Sequence, residues 1–470
     1  MATSAVGANE SEVGGAASGE ITAESLGSRG FKGDYRLRYA YLAGGMAKGI
    51  ASEELVIRIG RAGMMGFFGT GGLEPDRIEA AIRTIQEGLP DGKPYGMNLL
   101  FQLGNPTLEE QTVDLFLRYG VRVVEAAAYL QISPALVRYR LTGLERGAGG
   151  EIRIKNRIIA KLSRPEIAKL FLSPAPERLV ADLLRDDRIT REQAELAGRV
   201  PMADDLCVEA DSGGHTDQGV LTILVPAIIR LRDEMARTHG YAKTVRVGAA
   251  GGIGTPAAAA AAFMLGADFI VTGSINQCTA EARISDAVKE ILQGLDVQDT
   301  AYAPAGDLFT LGAKVQVVRK GIMFPLRANK LYDLYRRHDS LDGIDAKTRQ
   351  DLEQRYFKRT LDEVYEETRA YWLKHNPEEI RRAEQDPKQR MALVFRWYFG
   401  RALALALEGD VANKADYQIY CGPAMGAFNQ WVKGTGIEDW RNRHVDQIAE
   451  QLMRETAGLM NARLKGPAVS

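Results

Sequence analysis

Alternation between short apolar runs and amphipathic helical stretches is the feature of this 470-residue sequence that most restricts its fold. The alternation extends from Tyr39 to Ser274 and includes eight apolar runs of strand length. Such a pattern is typical of parallel strands joined by crossover helices. Eight strand–helix units in about 240 residues match the size of a (β/α)8 barrel, so we predict an α/β fold of the TIM-barrel type.

The predicted strands and helices follow one another in order along this part of the chain. The predicted strands are Tyr39–Gly44, Met64–Gly69, Tyr95–Leu100, Arg122–Ala128, Asn156–Leu162, Asp205–Asp211, Thr244–Gly251 and Phe269–Ser274. The clearest predicted helices are Ser52–Ala62, Glu74–Gln86, Thr107–Tyr119, Pro134–Leu144 and Thr255–Leu265. The segment of about 163–204, before the sixth strand, is too long for a plain connection, and its helix-like runs predict a helical insertion.

The two ends of the chain differ from the barrel in composition. Residues 1–30 open with small and polar residues and lack the features of a secretory signal, so we predict a disordered tail. The barrel is then expected over 31–324. From 325 to 470 the charge is mixed and the helical patterns are long, which predicts an appended C-terminal helical region.

Composition excludes several classes of protein. Sixty Lys and Arg against 61 Asp and Glu give a net charge of −1, which argues against nucleic-acid binding through bulk charge. Cys207, Cys278 and Cys421 lie far apart, which excludes a zinc ribbon and a disulfide scaffold and fits a reducing compartment. No run approaches the roughly 18 apolar residues of a membrane span. We therefore expect a cytoplasmic protein with no metal site and no membrane partner.

The chemistry of such a barrel lies at the carboxyl ends of its strands, and many of the 49 glycines cluster there. Small residues follow strand one over 44–47 and strand two over 69–72. They would let a flat ring or neighbouring backbone approach closely, or they form tight turns, and both interpretations remain open. Asn98, at the end of strand three, could contact a ring or cap a turn.

Charged side chains interrupt three of the predicted strands or their ends. Glu125 and Lys161 lie within apolar runs, so we expect both to face the barrel mouth. A salt bridge between them and a functional role are both compatible with that expectation. His215 follows Gly213-Gly214 at the end of strand six, where a histidine would face a ligand, although a lone histidine is more often structural.

The last two strands end in glycine-rich loops that predict a phosphate site. Gly251-Gly252-Ile253-Gly254 follows strand seven, and Gly273-Ser274 follows strand eight. Exposed N–H groups at the start of a helix favour an anion, and these two loops form the usual phosphate site of such barrels. The pattern is neither a Rossmann fingerprint nor a Walker A loop. A flat cofactor with one phosphate is indicated, and flavin mononucleotide (FMN) fits best.

Several of these segments resemble a known family. The segments 95–100, 209–215, 249–253 and 265–268 resemble the FMN-dependent nitronate monooxygenase superfamily, which includes an enoyl-acyl-carrier-protein reductase. The segments 63–69, 319–332 and 417–429 are similar to its PfaD-type branch, the trans-acting enoyl reductases of polyunsaturated fatty acid and trans-acyltransferase polyketide synthases. Simple nitronate monooxygenases lack the C-terminal segments, so the branch is the more specific resemblance.

The resemblance implies reduction of an enoyl thioester on an acyl carrier protein. NADPH or NADH would reduce FMN, which would deliver hydride to the β-carbon before a proton reaches the α-carbon. His215 would orient the thioester or donate the proton, and Lys161 would stabilise negative charge on the reduced flavin. The cofactor-binding residues would be Ala47, Asn98, Glu125, Lys161, Gly213, Gly214, Gly251, Gly252, Gly273 and Ser274.

The expected partners are an acyl carrier protein and a polyketide or fatty acid synthase, and a homodimer is left open. A basic run could dock the acidic carrier, or it could be a solvated helix face: Arg319, Lys320, Arg327, Lys330, Arg336 and Arg337. Two other functions remain as alternatives. One is a nitronate monooxygenase that oxidises nitroalkanes with oxygen, and the other is a non-catalytic barrel scaffold in a synthase complex.

Overall fold

A closed barrel of eight parallel strands forms the centre of the protein in a computed structural model, which describes residues 20–90, 92–102 and 104–465. The strands pair in chain order, and the first also pairs with the eighth. They are Tyr41–Ala43, Met65–Phe68, Gly96–Leu100, Val123–Ala127, Arg157–Leu162, Asp205–Glu209, Arg246–Ala250 and Ile270–Thr272. The predicted (β/α)8 barrel is confirmed, with each strand inside its predicted run.

The barrel strands are almost continuously buried because helices cover them outside and side chains fill them inside. The inner layer includes Leu42, Phe67 and Val271. The helix Arg29–Tyr35 closes the amino-terminal end, where Tyr35 Oη donates to Asp205 Oδ2 at 2.5 Å. Closure at that end leaves the carboxyl ends of the strands as the accessible mouth.

Seven crossover helices follow the first seven strands. They are Glu53–Arg61, Pro75–Gly88, Pro106–Arg118, Pro134–Thr142, Pro165–Leu172, Leu221–His239 and Pro256–Met264. The predicted insertion before strand six is helical, and its first helix, Pro165–Leu172, is itself the fifth crossover helix and packs against Leu221–His239. Its other helices, Glu177–Arg185 and Arg191–Ala197, pack outside Pro134–Thr142. Leu144–Arg146 and Ile152–Ile154 form an antiparallel hairpin that was not predicted from the sequence.

The eighth crossover helix is supplied by the C-terminus. Val445–Leu464 packs between Pro256–Met264 and Glu53–Arg61, and Asp446 Oδ1 accepts a hydrogen bond from Arg58 Nε at 2.7 Å. Strand eight and its helix are thus separated by the whole of 273–444. The predicted C-terminal helical region is present, but it lies before the last element of the barrel.

The intervening region has a hydrophobic core of its own, centred on residues such as Phe309, Phe324 and Phe395. Its α-helices are Ser274–Gln277, Asp286–Gln293, Phe324–Arg337, Ala346–Asp351, Leu361–His375, Pro377–Gln385, Pro387–Glu408 and Ala424–Val432, with a π-helical turn at Leu352–Phe357. Two strands, Thr300–Pro304 and Lys314–Val318, form an antiparallel sheet with Gly214–Thr216 from the barrel. This sheet was not predicted from the sequence.

The amino-terminal boundary also differs from the prediction. Residues 1–19 lie outside the described residues. From residue 20 the chain packs on the protein: Ala23 and Leu26 are buried, and Ile21 N donates to Asn461 Oδ1 at 2.9 Å. The predicted disordered tail to residue 30 therefore extends too far. No described helix is long and apolar enough to cross a membrane.

Candidate functional site

Four polar side chains form a layer at the carboxyl end of the barrel, on strands three to six. Asn98 and Glu125 are paired in register, and Asn98 Nδ2 donates to Glu125 Oε2 at 2.9 Å. The same carboxylate oxygen accepts from Gly45 N at 3.1 Å. Lys161 Nζ lies 3.6 Å from Glu209 Oε1. Asn98 and Glu125 are buried, whereas Lys161 and Glu209 are partly exposed, so the charges that a ligand at the mouth could meet are those of Lys161 and Glu209.

The electrostatics of this layer favour a positive Lys161. Burial lowers the pKa of Lys161, but the neighbouring carboxylates of Glu125 and Glu209 outweigh it and raise the pKa well above its ordinary range. Burial raises the pKa of Glu125, and the charge of Lys161 opposes that rise. The two residues face one mouth, as expected. The carboxylate within 4.0 Å of Lys161 is Glu209, however, rather than the Glu125 of the salt-bridge interpretation.

The glycines after strands one and two are explained by close packing of the two loops. A Cβ on Gly69 would lie 1.6 Å from the carbonyl oxygen of Met46, and one on Gly71 would lie 3.1 Å from Ala47 Cβ. A Cβ on Gly45 would lie 2.9 Å from Glu125 Oε2. Close approach of neighbouring backbone and side chains therefore accounts for Gly45, Gly69 and Gly71. Ala47 itself is exposed on the loop after strand one.

The glycines after strands six, seven and eight behave differently. A Cβ added to Gly214, Gly252 or Gly273 would meet no heavy atom within 4 Å, chain neighbours apart. Gly252 has a φ of +72°, which L side chains rarely adopt. Within the described parts of the chain, neither Gly252 N nor Gly273 N donates to a protein acceptor. Accessible N–H groups on adjacent loops are what a phosphate group requires, so these residues fit the predicted cradle.

The remaining predicted cradle residues are held by neighbouring backbone. A Cβ on Gly251 would lie 2.5 Å from the carbonyl oxygen of Ala210, and one on Gly213 would lie 2.7 Å from Cys421 Cα. Ser274 Oγ accepts from Gly422 N at 3.1 Å. Cys421-Gly422 thus lies between the loops of strands six and eight. This segment resembles the PfaD-type branch of the family, but no role in the site was predicted for it.

His215 lies at the edge of the same mouth. It stands on the short strand Gly214–Thr216, opposite Val315, and its side chain is 44% exposed. His215 Nε2 is 2.9 Å from Asp307 Oδ1. Burial lowers the pKa of His215, but the hydrogen bond and charge of Asp307 outweigh it and raise the pKa above its ordinary value, with Glu209 adding to the rise and Lys161 opposing it. Sequence reasoning missed Asp307, because it lies 92 residues away with no motif around it.

Asp211, between strand six and His215, has a different role. Its carboxylate accepts from Tyr302 Oη at 2.5 Å and from Thr216 Oγ1 at 2.6 Å. Tyr302 belongs to the sheet that pairs with the His215 strand. Asp211 therefore fastens the small sheet to the end of strand six.

The predicted basic run is only partly available for docking. Lys320 Nζ lies 3.1 Å from Asp299, and Arg327 pairs with the buried Asp416. The other four are exposed and form no ion pair within the described residues: Arg319, Lys330, Arg336 and Arg337. The run is thus a smaller basic surface than the sequence suggests.

Comparison with known proteins identifies the family. A family model described as nitronate monooxygenase matches residues 35–305, which is more than half of the chain. The chain belongs to the nitronate monooxygenase family. A second model, described as the inserted helical domain of acyl-carrier-protein S-malonyltransferase, matches residues 338–417.

Two similar proteins come from polyketide and polyunsaturated fatty acid synthesis. Polyketide biosynthesis protein PksE of Bacillus subtilis is 58% identical over 95% of this chain. A component of the polyunsaturated fatty acid synthase of Thraustochytrium sp. is 48% identical over 89% of it. The chain spans 58% of the first relative's length and 28% of the second's. Both are similar to nearly the whole of this chain.

A solved structure extends the comparison. The enoyl reductase domain of MlnA, from the macrolactin biosynthesis cluster of Bacillus amyloliquefaciens, has a TM-score of 0.91 and 50% identity. The match covers 94% of this chain and 99% of that domain. The predicted resemblance to the enoyl reductase branch of the family is confirmed.

Proposed function

We propose that the protein is an FMN-dependent enoyl reductase that acts on an α,β-unsaturated thioester carried by an acyl carrier protein. The observation that carries the proposal is the combination, at one barrel mouth, of accessible glycine amides with Lys161 and His215. The 50% identity to the MlnA enoyl reductase domain, over nearly its full length, supports the reaction type. The chain spans only part of the length of its curated relatives, so their activities do not transfer to it directly. The proposed activity therefore rests on the chemistry of the residues at the barrel mouth.

The residues proposed to hold FMN divide by the part of the cofactor that they suit. The amides of Gly252 and Gly273, with Ser274, suit the phosphate, Gly214 leaves open space beside them, and Gly213 and Gly251 fix the loops that carry them. The ring is proposed to lie on the other side of the mouth, beside the exposed Ala47 and over the buried pair Asn98 and Glu125. When bound, FMN would supply hydride transfer between a nicotinamide and the enoyl chain.

Lys161 is proposed to act as a fixed positive charge. Its pKa lies well above neutrality because two carboxylates surround it, so it stays protonated throughout the working pH range. A preorganised cation in a partly buried site stabilises negative charge more than the same cation in water. Asn98 and Glu125 are already bonded to each other, which would limit how far this wall of the site rearranges.

His215 is proposed to orient the thioester and to donate the proton to the α-carbon. Its Nε2 is engaged by Asp307, which leaves Nδ1 for the substrate. Its raised pKa keeps the imidazole protonated to a higher pH than usual, as a proton donor near neutrality needs. The hydride donor is proposed to be NADPH or NADH, and the four exposed basic residues of 319–337 are the proposed contact for the acidic carrier.

Anaerobic spectroscopy tests the function. The purified protein is loaded with FMN, mixed with NADPH or NADH, and then with an enoyl thioester such as a crotonyl carrier. We expect a nicotinamide to bleach the flavin absorbance and the thioester to restore it. Bleaching by a nitronate with none by either nicotinamide would favour the nitronate monooxygenase alternative. A protein that does not retain FMN at all would favour the scaffold.

A further inference from the structure

We propose that Asp307 is the positioning residue of His215, fixing the orientation and the proton of the imidazole. Asp307 Oδ1 lies 2.9 Å from His215 Nε2, across 92 residues of chain. The inference deepens the proposed function and rests on it in one respect, namely that His215 acts on the substrate.

Asp307 is carried by the turn between Thr300–Pro304 and Lys314–Val318. The second of these strands pairs with the His215 strand, with Val315 opposite His215. The sheet therefore sets both ends of the His215–Asp307 contact. His215 lies on a strand of this sheet, and Asp307 lies in the turn that joins the other two strands, so the sheet limits how far either residue can move.

The helical region holds this turn in place. A Cβ on Gly306 would lie 2.6 Å from Phe399 Cβ, so the backbone of the turn packs directly on the helix Pro387–Glu408. Arg396 Nε, on the same helix, donates to the carbonyl oxygen of Gly306 at 3.1 Å. The Arg396 guanidinium also lies over the Trp372 ring, 5.3 Å from its centroid. The intervening region between strand eight and Val445–Leu464 thus supplies Asp307, the carboxylate that contacts His215 at the barrel mouth.

The charges around the pair favour its ionised form. Burial raises the pKa of Asp307, but the hydrogen bond from His215 outweighs it and lowers the pKa below its ordinary value. Glu209 and Lys161 act on His215 with opposite signs, and Arg396 and Tyr420 lie near Asp307. A protonated imidazole held through Nε2 presents Nδ1–H in one direction. Orientation of that proton is the role that we infer for Asp307.

The exposure of the pair separates this role from a structural one. The side chains of His215 and Asp307 are 44% and 61% exposed. Ion pairs that water reaches contribute little to the free energy of unfolding. Loss of Asp307 should therefore alter the behaviour of His215 while leaving the stability of the protein nearly unchanged.

The test compares Asp307→Asn and Asp307→Glu with Asp362→Asn in the FMN-loaded protein. Asp362 is an exposed carboxylate of the same helical region that pairs with Arg349 and Arg390 and lies outside the site. We expect Asp307→Asn to retain FMN and to be reduced by NADPH at the normal rate. Its oxidation by an enoyl thioester should slow by about tenfold or more, a part of what general acids contribute. Asp307→Glu should recover part of the rate, and Asp362→Asn should match the wild type.

A second readout does not need activity. The five histidines are labelled at Cε1 and titrated by NMR, with His215→Gln used to assign the His215 signal. We expect the pKa of His215 to fall in Asp307→Asn and to stay unchanged in Asp362→Asn. An unchanged His215 pKa, or an unchanged rate of thioester reduction, would overturn the positioning role. If the wild type reduces no enoyl thioester, the proposed function fails, and the titration still decides whether Asp307 controls His215.

Discussion

Gly422 N donates a hydrogen bond to Ser274 Oγ at 3.1 Å, which joins the far end of the intervening region to the loop after strand eight. The two residues are 148 positions apart. Ser274 is one of the residues proposed to hold the FMN phosphate. The intervening region therefore forms part of the barrel mouth. Its contacts at the mouth can be tested separately from the contacts that stabilise the barrel.

Ser274→Ala removes the acceptor of this bond and one proposed phosphate ligand. We expect the free energy of unfolding to fall by about 1 kcal/mol, as for the loss of one hydrogen bond, and flavin retention to weaken. Urea denaturation and the flavin content after gel filtration measure the two effects. The matched control is Ser285→Ala, because Ser285 Oγ donates a hydrogen bond to Ala406 O at 2.6 Å. It should lose similar stability and keep its flavin, and equal flavin loss in both variants would contradict the assignment.

Gly252→Asp should abolish retention of FMN while leaving the protein folded. The Cβ of the new side chain would meet no heavy atom within 4 Å, chain neighbours apart, but the aspartate brings bulk and negative charge to a proposed phosphate site, and its φ of +72° costs about 1 kcal/mol. Gly150→Asp is the control, because Gly150 has a φ of +81° and equally open surroundings in the distant hairpin. Absorbance at the flavin band after desalting gives the result. A Gly252→Asp protein that stays yellow would show that the cradle lies elsewhere.

Lys161→Met should leave Glu125 and Glu209 without their shared cation. We expect the free energy of unfolding to fall by about 1–3 kcal/mol, because two partly or fully buried carboxylates lose compensation. The midpoint potential of bound flavin should become more negative, since a positive charge beside the reduced ring is lost. Adding Glu209→Gln should restore stability without restoring the potential. An unaltered potential in Lys161→Met would exclude Lys161 as the flavin's cation.

His215→Ala should retain FMN and slow enoyl reduction by about 10²- to 10⁴-fold, the usual contribution of a general acid. The pH dependence of the rate of enoyl reduction shows whether the protonated form of His215 is the active one. His215 is protonated below its folded pKa, which Asp307 raises, so the wild-type rate should be full at low pH and fall as pH rises through that value. The Ala variant should lose this alkaline fall. Stopped-flow rates of flavin reoxidation across pH make the measurement, and a variant with wild-type turnover would remove His215 from the reaction.

Local sequence patterns were sufficient for the barrel, and they identified the end of the barrel at which the site is proposed. All eight strands lie within their predicted runs, because burial on both faces requires apolar runs and each run is bounded by glycine or helix signals. Glu125, Lys161 and His215 stood out as polar residues at or near strand ends. The same patterns could not separate one glycine from another. Gly69 is required by the Met46 carbonyl 1.6 Å from its Cβ position, whereas Gly252 has no such neighbour.

The sequence by itself therefore determined the fold class, the accessible end of the barrel and the family. Only the tertiary structure decided that Lys161 pairs with Glu209, that Asp307 meets His215, and that Gly422 reaches Ser274. It also decided that the eighth barrel helix is Val445–Leu464 rather than a helix next to strand eight. The physical reason is range. The periodicity of strands and helices depends on neighbouring residues. A hydrogen bond across 92 or 148 positions depends on how two segments distant in the chain pack against each other.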